Sequence, residues 1–209
     1  MTAPSRESLV FIVSGPSGSG KSTLVQKLLE LPGMMFSISC TTRQERPSEE
    51  AGKWYNYISE EEFQKMAERG EFLEYARVFG RHSYGTPRRS LDEARASGRD
   101  LVLEIDVQGA AQVKRLLPTS TAIFILPPSR QALEGRLRGR GQDSAEEIER
   151  RLAQAKQEIL QLSGYYDYLV INDDVERAGR QMQAIAIAER CRASLSGELV
   201  HEILKTFGG

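Results

Sequence analysis

Residues 15–22, Gly15-Pro16-Ser17-Gly18-Ser19-Gly20-Lys21-Ser22, constrain this chain more than any other stretch. They fit G-x-x-x-x-G-K-[ST] at every fixed position, and the flanking residues supply the context that gives this pattern its meaning. Leu9 to Val13 is apolar, carries Val and Ile, and stops at Gly15-Pro16, as a short buried strand does. Beyond the glycines, Leu24, Leu28 and Leu31 recur at helical spacing until Pro32-Gly33 ends the run, which predicts a helix over 21–31. A strand, a glycine-rich loop and a helix start bring successive backbone N–H groups and the positive end of a helix dipole to one point, where phosphate oxygens fit. Lys21 adds a mobile positive charge for terminal phosphates, and Ser22 offers a hydroxyl to Mg2+.

The rest of the chain repeats the strand-then-helix theme. Leu101 to Ile105, Thr121 to Leu126 and Tyr168 to Ile171 are apolar runs each followed by a helix-like stretch. That alternation predicts an α/β architecture, a parallel sheet with crossover helices. Two segments break the rhythm. Residues from about 35 to 89 mix Tyr, Trp and Phe among charges and carry Ser59 and Glu62 at capping-box spacing, so they read as an inserted α+β lobe. Residues from about 130 to 151 are rich in arginine and contain Gly135, Gly139 and Gly141, which reads as a cover joining two helices. With no linker or repeat, residues 1–209 read as one domain: a core of about 8–34, 90–129 and 152–209, a lobe of about 35–89 and a lid of about 130–151. The stretch from Val175 to Phe207 reads as mostly helical, with a short tail helix within 197–209.

Composition narrows the classes further. With 28 basic and 29 acidic side chains the net charge is −1, so no global positive field draws the chain to nucleic acid, and phosphate binding must be local. Apolar runs such as Leu9 to Val13 and Ala122 to Leu126 are far shorter than the roughly 18 residues a membrane-spanning helix needs. Cys40 and Cys191 lie far apart, and the first residues lack a basic region followed by an apolar one; neither a disulfide framework nor a secretion signal is supported, and a reducing cytoplasm is the expected location.

The loop alone does not choose among kinases, GTPases and ATPases. Asp106-Val107-Gln108-Gly109 has the D-x-x-G form by which GTPases sense a γ-phosphate, but Asn172 is followed by Asp173-Asp174 where N-K-x-D would read guanine. Other segments point elsewhere: SGPSGSGKST (14–23), SCTTRQERPSE (39–49), GKWYNYIS (52–59), EFLEYARVFG (71–80), SYGTP (83–87), EIDVQG (104–109), LPPS (126–129), RLRGRG (136–141) and VINDD (170–174). In that order, over nearly the whole chain, they resemble the guanylate kinases, which use ATP to phosphorylate GMP to GDP.

The resemblance implies roles residue by residue. Gly15, Pro16, Ser17, Gly18, Ser19, Gly20, Lys21, Ser22 and Thr23 would bind ATP, with Asn172 near its adenine end. Ser39, Arg43, Arg46, Tyr55 and Tyr84 would grip the GMP phosphate, which suits the planar donor fork of arginine and the uncharged hydroxyls of tyrosine. Guanine presents donors at N1 and N2, so acceptor-only carboxylates should read it: Glu74 and Asp106, with Thr86 and Ser39 on the O6 and N7 side. Glu104, on the same strand face as Asp106, would serve Mg2+ through its water shell, with Ser22 offering its hydroxyl to the ion. Arg136, Arg140 and Arg151 would close over the transferring group together with Lys21 and Arg43, with Gly139 and Gly141 giving the lid its freedom. The expected small-molecule substrates are ATP and GMP; dGMP carries the same base and phosphate, and its acceptance stays open.

Some positions read more plainly. The stretch YARVFGRHS before Tyr84 is one residue longer than the spacing of the resemblance, and Ser83 stands where a second tyrosine often does. His82 and His201 read as exposed, Cys40 as a buried structural thiol and Trp54 as packing for the lobe. Two rivals remain: a kinase for another nucleoside monophosphate, and a non-catalytic scaffold of the same fold. Intact Lys21, Ser22, Arg43, Arg46 and Arg140 weigh against the scaffold.

Overall fold

The computed structural model describes residues 7–45, 52–78, 82–139, 141, 144–162, 164–195 and 197–207. A five-stranded, wholly parallel sheet forms the centre, in the order β2 (Met34–Phe36), β7 (Asp100–Glu104), β1 (Val10–Ser14), β8 (Thr121–Leu126), β9 (Tyr168–Ile171). Alternate residues of β1 serve opposite faces. Phe11 and Val13 pack with Leu24, Val25 and Leu28 of α1 (Lys21–Leu29) and Ala178, Met182 and Ala186 of α7 (Val175–Arg190). Val10 and Ile12 pack with Leu91 and Ala94 of α3 (Arg88–Ala96) and Ala110 and Val113 of α4 (Val107–Leu116). Burial on both faces is why these strands read as continuous apolar runs rather than alternating ones.

A second sheet, in the order β4 (Tyr55–Tyr57), β3 (Ser39–Thr41), β6 (His82–Pro87), β5 (Phe72–Val78), carries α2 (Glu60–Glu68) and a small core of Cys40, Phe63 and Phe72. Ser59 caps α2, its Oγ accepting from the Glu62 N–H at 3.1 Å, as the spacing predicts. Phe36 belongs to the central sheet, pairing with Val102, and Trp54 packs edge-on against Phe36 at 5.6 Å, so this ring touches the central sheet. His82 begins β6 opposite Val78 and is half-buried, which corrects its reading as an exposed loop residue.

The arginine-rich segment forms α5 (Arg130–Gly139) and the first half of α6 (Ala145–Leu160), joined through Leu133, Leu137, Ile148, Leu152 and Ala155. A short 3-10 turn (Ala193–Leu195) and α8 (Gly197–Lys205) follow α7. Asp100, fully buried at the head of β7, accepts from Leu9 N and from Arg190 Nε at 2.8 Å, while Arg190 also reaches Pro32 O. This ties the end of α7 to the sheet. None of the described helices is long and apolar enough to cross a membrane.

Candidate active site

The carboxyl ends of β1 and β7 open into one cleft of about 530 Å3, walled by the second sheet on one side and α6 on the other. Ligands of open parallel sheets bind at such strand ends. The 15–22 loop leaves β1 there in the conformation its glycines permit. Gly15 has φ +143, and a Cβ on it would lie 2.5 Å from Ile125 O on the neighbouring strand. Gly20, at the head of α1, has φ +91, and a Cβ there would run into the Asn172 side chain. Both positions therefore exclude other residues for reasons of space as well as backbone angle.

Lys21 folds back over the loop, donating to Gly15 O at 2.8 Å and Pro16 O at 3.1 Å. Ser22 Oγ donates to Glu104 Oε1 at 2.8 Å, which brings the hydroxyl and the carboxylate expected at a Mg2+ site together. Arg151 crosses from α6 and donates to Ser17 Oγ at 2.8 Å, held also by Glu147. Asn172 sits behind the loop, 2% exposed, with its Nδ2 on Ser19 O; Arg136 reaches the same carbonyl and Asn172 O. Asn172 and Arg136 thus brace the loop at Ser19, and neither lines the cleft.

Across the cleft, Arg43 Nε donates to Tyr84 Oη at 3.1 Å, and its guanidinium lies over the rings of Tyr55 and Tyr57. Ser39 lines the same wall. Arg46 and Arg140, the remaining arginines of the expected set, lie outside the described residues.

Glu74 is the least ordinary group in the cleft. It lies on β5, only 4% exposed, and accepts from Thr86 Oγ1 at 2.6 Å. Burial pushes its carboxyl up to about 7, against the opposing pull of the Thr86 bond, with nearby Asp106 raising it further. Asp106 caps α4, accepting from Gly109 N at 2.8 Å, and burial raises its carboxyl as well. Gly109 is where Glu74 approaches the helix; a Cβ would collide with the carboxylate. The D-x-x-G spacing is therefore accounted for by a helix cap and a close approach.

Of one wall, sequence reading found only Arg151. Glu147, Arg151, Gln154 and Glu158 recur at i, i+4, i+7 and i+11 along α6 and line the cleft with Arg150, while Ile148, Leu152 and Ala155 face α5. A polar stripe at that spacing beside an apolar one was the available signal.

A parallel sheet with this loop, facing a second polar wall, defines a P-loop nucleotide-binding protein of the α/β class. The family model for guanylate kinase matches residues 7–189. The guanylate kinase of Koribacter versatilis is 52% identical over 189 residues, covering 88% of this chain and 80% of its own length. That of Syntrophotalea carbinolica is 48% identical over 190 residues, 90% of each. The crystal structure of guanylate kinase from Anaplasma phagocytophilum, 31% identical, superposes with a TM-score of 0.77 over 95% of both chains. The chain belongs to the guanylate kinase family.

Proposed function

We propose that the chain transfers the γ-phosphoryl group of ATP to GMP, giving ADP and GDP. The observation that carries this reading is Glu74, a buried carboxylate paired with Thr86 across the cleft from the phosphate loop, with the Arg43–Tyr84 cage on the same wall. A buried carboxylate, acceptor-only when ionised, suits the N1 and N2 donors of guanine, and adenine would leave it unpaired.

In this reading residues 35–89 hold GMP, residues 130–151 form the lid, and the remainder is the core. Arg43, Arg46, Tyr55, Tyr84 and Ser39 hold the GMP phosphate, and Glu74, Asp106 and Thr86 hold its base. The loop, with Thr23 at its end, holds the ATP phosphates. Asn172 and Arg136 act on ATP through the loop they brace. A GMP phosphate oxygen attacks the γ-phosphorus in line while the bond to the β,γ-bridging oxygen breaks, and ADP leaves. The attacking oxygen is already charged, so no general base is required. Lys21, Arg43, Arg140 and Arg151 supply donors to the charge spread over the migrating group.

Mg2+ suits the residues present. Ser22 Oγ and Glu104 are hard oxygen donors within hydrogen-bond reach of each other, and among the described residues no cluster of three or more His, Cys, Asp or Glu side chains offers a complete protein cage. That is the donor set of an ion carried mainly by substrate phosphates, with Glu104 acting through water. When bound, Mg2+ neutralises phosphate charge and orients the triphosphate. The supply of GDP to cytoplasmic nucleotide pools is the role that follows.

ADP formation from ATP and Mg2+ with GMP, AMP, UMP and dTMP in parallel tests the reading, with Lys21→Ala as control. GMP-selective turnover that falls at least about 100-fold in the variant is expected. Preference for another monophosphate would remove the roles given to Glu74 and Asp106, and no turnover with any acceptor would favour a scaffold.

A further inference from the structure

The transfer just described leaves one buried carboxylate in the cleft without a task. Glu158, on the cleft face of α6, is 8% exposed. Gln154 Nε2 donates to it at 2.8 Å, and Lys21 attracts and Asp106 repels its charge. Elsewhere on α6 an acidic side chain near the cleft is matched by arginines, as Glu147 is by Arg150 and Arg151. Glu158 has a neutral amide instead, and among the described residues that amide is its one hydrogen-bond donor. A carboxylate so buried needs more donors than one.

The cleft is built for phosphates, which only accept. The donors that GMP brings are the two on the guanine edge, which the proposed function assigns to Glu74 and Asp106, and the hydroxyls of its ribose. Glu158 lines the cleft together with Asp106, at the base end, and Lys21, at the phosphate end. The part of a nucleotide that lies between base and phosphate is the sugar.

We propose that Glu158, oriented by Gln154, accepts a hydrogen bond from the ribose hydroxyls of the acceptor nucleotide, so that the sugar of GMP is recognised along with its base and phosphate. This rests on the reading of GMP as acceptor. It makes α6 a shared element, with Arg151 on the phosphate loop and Glu158, two turns on, against the sugar.

The test compares kcat/KM for GMP, 2′-deoxy-GMP and 3′-deoxy-GMP in the wild type, Glu158→Ala and Glu158→Gln, with KM for ATP as a parallel readout. A hydrogen bond to a charged acceptor predicts that the wild type disfavours at least one deoxy analogue by about 10- to 100-fold. In Glu158→Ala that ratio should fall to within about 2-fold, with KM for ATP little changed. Should Glu158→Ala not fold, Glu158→Gln, which keeps an acceptor for Gln154, should still reduce the ratio by at least about 3-fold. Loss of structure alone would not remove a ratio between two analogues. A wild type indifferent to both hydroxyls, or variants that keep the wild-type ratio, would overturn the proposal. Wild type inactive on GMP itself would instead overturn the reading on which it rests.

Discussion

Replacing Glu74 by glutamine should separate what this position does for stability from what it does for substrate choice. In the folded chain the carboxyl ionises near 7, against 4.5 for an ordinary glutamate. Between those values the unfolded chain has released a proton that the folded chain still holds. Stability therefore falls as pH rises through the window, and the loss is complete by about pH 8. A displacement of about 2.5 units at about 1.4 kcal/mol per unit makes the ionised Glu74 cost about 3 kcal/mol. Glutamine does not ionise and keeps an atom against Thr86 Oγ1. Glu74→Gln should accordingly be more stable than wild type by up to about 3 kcal/mol at pH 8, and no more stable at pH 4.

The same change should damage recognition. Guanine's two donors would meet an amide that offers one acceptor and a competing donor, so kcat/KM for GMP should fall by about 100-fold or more while KM for ATP moves little. The wild type should also show kcat/KM for GMP rising about 10-fold from pH 6 to pH 8, since the ionised fraction of a group near 7 rises by that factor. GMP's own phosphate titrates near about 6, and dividing by the profile of the variant removes it. Urea unfolding followed by far-ultraviolet circular dichroism gives the first half of the result and steady-state ADP formation the second. Equal stability of the two proteins at pH 8, or a variant that keeps the wild-type pH limb, would refute the argument.

Two further changes test the surroundings. Gly109→Ala should lower kcat/KM for GMP at least about 10-fold in steady-state assays with KM for ATP preserved, because its Cβ displaces the Glu74 carboxylate, although alanine favours helix by about 1 kcal/mol. Arg190→Ala removes the guanidinium from fully buried Asp100 and should cost about 3 kcal/mol in urea unfolding at neutral pH, with kinetic constants near wild type at temperatures where the protein stays folded.

How much of this was legible depends on whether neighbours in sequence or neighbours in space carried the information. The loop at 15–22 and the strands at 121–126 and 168–171 are local patterns, and they emerge at the residues where the patterns place them. Strand β2 does not, because three residues are too few to show a period, and only pairing with β7 reveals that Met34–Phe36 belongs to the central sheet. Glu74 and Asp106 could be named from motif order. The burial that makes Glu74 chemically unusual depends on Gly109 and Thr86, 35 and 12 residues away, and no local composition encodes it. Arg136 shows another limit: an arginine beside a glycine-rich lid reads as a group for phosphate, and only the fold reveals its hydrogen bonds to the carbonyls of Ser19 and Asn172. Glu158 was hidden by its setting in a helix dense with opposite charges, where salt bridging is the ordinary expectation.

Within the cleft the protein's own groups satisfy much of the charge, and this shapes what nucleotide binding must do. Lys21 lies on the carbonyls of Gly15 and Pro16, Arg151 on Ser17 and Glu147, and Arg150 on Glu147. Phosphate binding is then an exchange of partners, in which each oxygen that gains Lys21 or Arg151 displaces a carbonyl, a hydroxyl or a carboxylate. Each contact contributes only its advantage over the partner it replaces, which holds down ground-state affinity. A phosphoryl group in transit can draw more from the same donors than a resting triphosphate does, because they are already assembled around it and have little left to reorganise. In the proposed reading, Glu147 limits how strongly Arg151 holds ATP before GMP arrives, and the acidic end formed by Glu74, Asp106 and Glu158 is satisfied by the donors of GMP. On this arrangement the two substrates meet opposite ends of one field, and the full set of exchanges is completed only when both are present.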